Sequence, residues 1–108
     1  MMEMLKSSIE KGKVVLDKSG LKGRIIYDKE TAQAVIIDIE RGKELAEHKT
    51  PVDVFILVLA GKGIITIGGE SHEVVKDDII DSPKMIPHGI INTGEEPMRV
   101  LVVKAPHP

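Results

Sequence analysis

Ten short segments rich in valine and isoleucine follow one another along this chain, separated by turn residues at close, fairly even intervals. They cover residues 13–17, 23–28, 31–40, 45–48, 54–60, 63–68, 72–75, 79–81, 89–92 and 98–104. Beyond the N-terminus no window keeps a 3.6-residue apolar period for three turns, so helices that could cross between parallel strands are missing. Short strands punctuated by turns predict an all-β sandwich or small barrel. The 108 residues suit one domain. Residues 1–12 carry no clear period and are expected as a loose or partly helical lead-in to a single domain over 13–108.

Some of the turns are sharp. Gly68-Gly69 lies between two strand-like runs and predicts a tight hairpin. Residues 60–63 (Ala-Gly-Lys-Gly) end the most apolar run in the same way. At Lys76-Asp77-Asp78 an aspartate is expected to take the left-handed conformation, which it tolerates better than most residues. The run 54–60 is apolar at even and odd positions alike. A strand with one face on water should alternate instead, so its outer face is expected to be covered by the N-terminal strands or by a second subunit. A homodimer follows as an expectation.

Composition narrows the chemistry. The absence of cysteine removes disulfides, thiolate metal sites and cysteine nucleophiles. A net charge of -2, with acids and bases interspersed, offers no basic stripe for nucleic acid. The longest apolar run, 54–60, falls far short of the about 20 residues that a membrane helix needs. Residues 1–13 are broken by Glu3, Lys6 and Glu10 and hold no apolar signal core. A cytoplasmic location is therefore expected. Glutamine and asparagine occur once each, at Gln33 and Asn92. With the high charge content, that scarcity hints at a heat-adapted source. Phosphate loops, a nucleophile elbow and an HExxH segment are all missing.

His48 and His88 are the histidines set beside turns and strand-like runs. Gly42, five residues, His48-Lys49-Thr50, three residues, Val54, six residues and Gly61 form one pattern. Asp77, five residues, Pro83-Lys84-Met85, two residues, His88, three residues and Asn92 form another. The two are separated by fifteen residues. Over about residues 31–103 this combination resembles the paired motifs of the cupin superfamily, in its small single-domain form. The resemblance implies a double-stranded β-helix, or jelly-roll barrel, that commonly dimerises.

In that family the positions matching His48, Thr50, Val54 and His88 supply His, His, Glu and His to a metal. Here the first and last are retained, while threonine and valine replace the others. Asp77 and Met85 stand where the family usually has glycine. The resemblance thus implies a degenerate metal site of His48 and His88, able to hold one divalent ion such as Fe, Mn, Ni or Zn. Thr50, Val54, Ile56, Met85, Ile90 and Asn92 are the expected cavity lining. By strand alternation Thr50 and Val54 share a face with His48, and Ile90 and Asn92 share one with His88. Asn92 is also expected to tie down the loop at Thr93-Gly94 through its side chain. His72 and His107 are expected on the surface.

Two functions compete at this level. One is a barrel that binds a small molecule in its cavity, with the histidines hydrogen-bonding or protonating an anion. The other is a metal-dependent enzyme, an oxygenase, isomerase or decarboxylase, with open coordination positions on the ion. A metal-free isomerase using a histidine base is a variant of the second. A barrel that works through an outer face against a larger partner is a third.

Overall fold

The valine- and isoleucine-rich segments become ten strands. These are β1 (Lys13–Lys18), β2 (Leu21–Lys29), β3 (Ala32–Ile39), β4 (Glu44–His48), β5 (Asp53–Ala60), β6 (Lys62–Ile67), β7 (Glu70–Val75), β8 (Ile79–Ser82), β9 (His88–Asn92) and β10 (Met98–Ala105). Every expected segment corresponds to one strand, with ends moved by no more than two residues. The computed structural model describes residues 6–108. Within the lead-in, Ile9–Lys11 makes one 3-10 turn, and residues 1–5 lie outside the described part.

The strands form two antiparallel sheets, ordered β1-β2-β3-β10-β5-β8 and β4-β9-β6-β7. From β3 onward the chain passes repeatedly between the sheets, with only β6 and β7 consecutive in one of them. This is the double-stranded β-helix that the family resemblance implied. The two inner faces pack on each other, as alternation requires. Ile39, Ile56, Val58, Ile65, Met98 and Val100 are completely shielded from water at the centre. Among the described residues, no helix is long and apolar enough to cross a membrane.

Backbone conformation at the turns follows residue type. Gly68 and Gly69 have φ of 55° and 82°, the pair of positive values that a two-residue hairpin turn demands. Asp77 (φ 79°) and Met85 (φ 64°) hold left-handed conformations without being glycine. The fold thus keeps the backbone that glycine would supply at both positions. At Asp77 the turn is held by the Asp78 carboxylate, which accepts the Val75 N–H at 2.8 Å.

One expectation about coverage is corrected. The N-terminal strands do not lie over β5. They extend its sheet at the far edge, with β3 and β10 in between. Phe55, Leu57 and Leu59 on the outer face of β5 remain half-buried. Across that face the register aligns Tyr27, Ala34, Val103 and Phe55 in one row, and Ile36, Leu101, Leu57 and Ile79 in the next. Ile79 is 63% exposed at the end of its row.

A close approach between β6 and β9 fixes Gly63. A Cβ there would run into the Ile91 carbonyl oxygen and lie 2.9 Å from Met98 Sδ. Backbone cannot retreat without breaking the Gly63–Asn92 pairing. Gly63→Ala is expected to cost about 3 kcal/mol of stability, the upper end of the range for overpacked cores. A urea unfolding midpoint unchanged from wild type would show that the two strands can separate freely.

Candidate functional site

At one end of the barrel, its mouth, the inner face carries the polar residues His48, His88 and Lys104. His88 begins β9 and is 3% exposed. Its Nδ1 lies 2.9 Å from Ser82 Oγ at the end of β8, a hydrogen bond that joins the two sheets. That bond occupies Nδ1 and leaves Nε2 as the ring nitrogen open to other partners. Beside it stands His48, the rings meeting edge to face with centroids 4.4 Å apart.

A bulge puts His48 there. Leu45 pairs with Ile90 and His48 with His88, so β4 advances three residues while β9 advances two. The extra residue lets Leu45 and His48 both face the interior, which simple alternation forbids. Glu47 stays outside, its side chain against Gly89. His48 Nδ1 lies 3.2 Å from the Ala46 carbonyl oxygen. A carbonyl only accepts, so Nδ1 carries the hydrogen and Nε2 is again the open nitrogen.

Sequence reasoning passed over a third polar group. On β10 the inner face carries Met98, Val100 and Val102, and the same alternation places Lys104 inward at the mouth. Lys104 pairs with Gln33 on β3 and Val54 on β5. The signal was present in the period of 98–104, because the position after three inward apolar residues shares their face. Gln33 was legible in the same way from Val35, Ile37 and Ile39.

Together these residues line a funnel. Its narrow inner end, about 40 Å³, is bounded by His88, Ile56, Ile90 and Val102 along with His48 and Lys104. An outer chamber of about 350 Å³ is bounded by Val15, Leu16, Ile25 and Gln33, and again by His48 and Lys104. The walls are otherwise aliphatic, and no carboxylate lines either part. A larger groove of about 440 Å³ lies on the outside around Arg24, Asp38 and Arg99. There Asp38 accepts from Arg99 at 2.6 and 3.0 Å and from Arg24 at 3.4 Å. Two guanidiniums share the one Asp38 carboxylate there, and Arg24 Nε is buried without a hydrogen-bond partner.

Burial tunes the mouth. Desolvation first, and then the neighbouring His48, push the His88 pKa down to about 4. The Ile86 backbone opposes this and Lys104 adds to it. His88 is consequently a neutral imidazole at pH 7. Desolvation also lowers the Lys104 pKa, and among the described residues no carboxylate pairs with its ammonium.

Of the residues expected to line the cavity, Ile56 and Ile90 do so. The other four are placed differently. Val54 faces inward but is packed into the core, 3% exposed. Thr50 is buried in the connection after β4, where its carbonyl accepts the Met85 N–H at 2.8 Å. Met85 is 54% exposed, held outside by its left-handed turn. Asn92 lies toward the opposite end of the barrel, level with Gly63 and Val74. Its Nδ2 donates to the Ile39 and Glu96 carbonyls, and its Oδ1 accepts the Gly94 N–H, so the side chain secures the 93–97 loop. His72 and His107 are exposed and sit beside Glu70 and Asp28.

The donor set does not fit a resident divalent ion. Two imidazoles converge, but among the described residues no group of three His, Asp or Glu side chains comes together. Bound zinc normally has three protein ligands or more. Lys104 also brings a cation to the same cavity, which opposes a second one.

Comparison with known proteins agrees with this architecture. The family model for the cupin domain matches residues 35–104. An uncharacterised protein of Methanocaldococcus jannaschii is 30% identical over 112 residues, spanning 97% of this chain and 89% of that one. Among solved structures, an RmlC-like cupin from Shewanella frigidimarina superposes with a TM-score of 0.84 at 18% identity, covering 96% of this chain and 92% of the other. A polyketide cyclase from Streptomyces resistomycificus gives 0.79 at 19% identity, covering 95% and 80%. At those identities the two structures speak for the fold alone.

The His88 environment makes stability depend on pH. The unfolded chain takes up a proton at this position as pH falls through about 6.5, while the folded one resists until about 4. Stability is therefore full above pH 6.5 and falls between 6.5 and 4, by on the order of 3 kcal/mol for this shift. Urea unfolding across that window should show the loss, and His88→Gln should flatten it. An equal slope in wild type and variant would place the effect elsewhere.

Proposed function

This chain belongs to the cupin family, and from that premise we propose that its barrel mouth binds a small anionic molecule, best a carboxylate, directly and without a metal. The observation that carries the reading is the convergence of Lys104, His48 and His88 on one aliphatic funnel with no acid in its lining. Few polar groups in an apolar pocket orient a ligand while the walls exclude water. An unpaired ammonium in such a place is costly until an anion neutralises it, and a charge-assisted hydrogen bond is worth about twice a neutral one. The outer chamber, about 350 Å³, suits a molecule at the small end of the usual ligand range.

Malonate titrated against the protein at neutral pH should shift the ring resonances of His48 and His88 in NMR. Lys104→Met should weaken that binding at least tenfold, and an unaltered affinity would remove Lys104 from the site. A metal-dependent oxygenase, isomerase or decarboxylase is the second reading, favoured by the 4.4 Å approach of the two rings. Elemental analysis of untagged, chelator-free protein separates the two. Near-stoichiometric metal that vanishes in a His48→Ala, His88→Ala double variant would replace the anion reading with that one.

The outer face of the larger sheet supports a homodimer. Its aligned apolar rows, with Phe55, Leu57 and Leu101 half-buried and Tyr27 and Ile79 exposed, are the surface a second copy would cover. The covering of β5 that its two-sided apolar sequence calls for is supplied, on this reading, by the partner. Sedimentation equilibrium should give a dimer for wild type and a monomer for Leu57→Glu. A wild-type monomer at high micromolar concentration would sink the assignment.

A further inference from the structure

Lys104 is placed for more than charge recognition. It extends from the inner face of β10 between Gln33 and Val54, which are 8% and 3% exposed, and borders both parts of the funnel. Among the described residues it has no ion-pair partner. Two imidazoles stand in the same inner chamber, each with Nδ1 engaged by the protein and Nε2 open. An amine without a counter-ion, imidazoles able to relay protons and a largely aliphatic lining favour condensing an amine with a carbonyl.

We propose that Lys104 is a nucleophile that forms an imine with the carbonyl carbon of a small 2-oxo acid seated in the barrel mouth. This rests on the reading of the mouth as a carboxylate site and names the substrate class that it takes. Desolvation, which favours the uncharged amine, supports the assignment made from the geometry. The amine nitrogen attacks the carbonyl carbon, and an N–H proton passes to the carbonyl oxygen to give a carbinolamine. Protonation of that hydroxyl lets it leave as water while the nitrogen lone pair forms the C=N bond. From ammonium and 2-oxo acid the net products are a protonated imine and one water, so atoms and charge balance with no further reactant. His48, open to the outer chamber, is positioned to exchange those protons with solvent. His88, neutral at pH 7 and bonded to Ser82, holds the inner wall.

The test uses the full chain, pyruvate or glyoxylate, and cyanoborohydride, which reduces an imine to a stable secondary amine. Peptide mass mapping should place the adduct on Lys104 at a rate at least tenfold above any other lysine. Lys104→Arg keeps the charge but cannot form the imine, so its labelling should fall to the background of the surface lysines. Equal labelling across the lysines, or no adduct at all, overturns the proposal. Malonate, which has no ketone or aldehyde, keeps the two readings apart. If malonate shifts the histidine resonances and neither 2-oxo acid labels Lys104, the imine fails and the carboxylate site stands. If malonate is also without effect, both fail.

Discussion

Strand β10 lies between β3 and β5, and the two-residue repeat of its side chains governs both the core and the site. Met98, Val100 and Val102 point inward and are 0%, 0% and 5% exposed. The next inward position is Lys104, where the packed interior gives way to the funnel. A slip of one residue in this strand would expose the core residues and withdraw the lysine together. The burial that stabilises the barrel therefore also holds the amine in register with Gln33 and Val54.

Polar groups at the mouth are fixed by devices that the alternating pattern does not include. The bulge in β4 turns His48 inward after Leu45 has already been used by the core. The Ser82–His88 bond crosses between sheets and satisfies a ring nitrogen that burial would otherwise leave unpaired. With Thr50 and Val54 at two positions where the family resemblance implies ligands, the two histidines share their chamber with Lys104. On the proposed reading, the cavity suits an anion where the family resemblance implies a site for a cation. A barrel of this kind hosts many activities, so this local chemistry carries the functional reading and the fold does not.

Asp77 and Met85 show how the fold tolerates loss of its usual glycines. Both keep positive φ, a conformation costing a non-glycine residue on the order of 1 kcal/mol. At Asp77 the turn is stitched by the Asp78 carboxylate. Met85 is held by its N–H to the Thr50 carbonyl, and the turn directs its side chain to solvent. The identity of Met85 suggested a cavity residue, while its backbone conformation decided otherwise.

The sequence by itself determined the ten strands, the hairpin at Gly68-Gly69, the capping role of Asn92 and the pairing of two motifs that marks the barrel. These are local matters: a period of two, turn residues at fixed offsets, and a side chain bonded to a backbone two residues away. Tertiary structure decided which inward positions meet. His48, His88 and Lys104 lie on β4, β9 and β10, and they share a chamber because the sheets fold over one another and a bulge shifts the register of one strand. Periodicity gave Lys104 its face, but only the packing of β10 against β5 set that face at the mouth and beside two imidazoles. Thr50 is buried in the connection after β4, and its backbone carbonyl rather than a cavity role is what the structure engages, through the Met85 N–H.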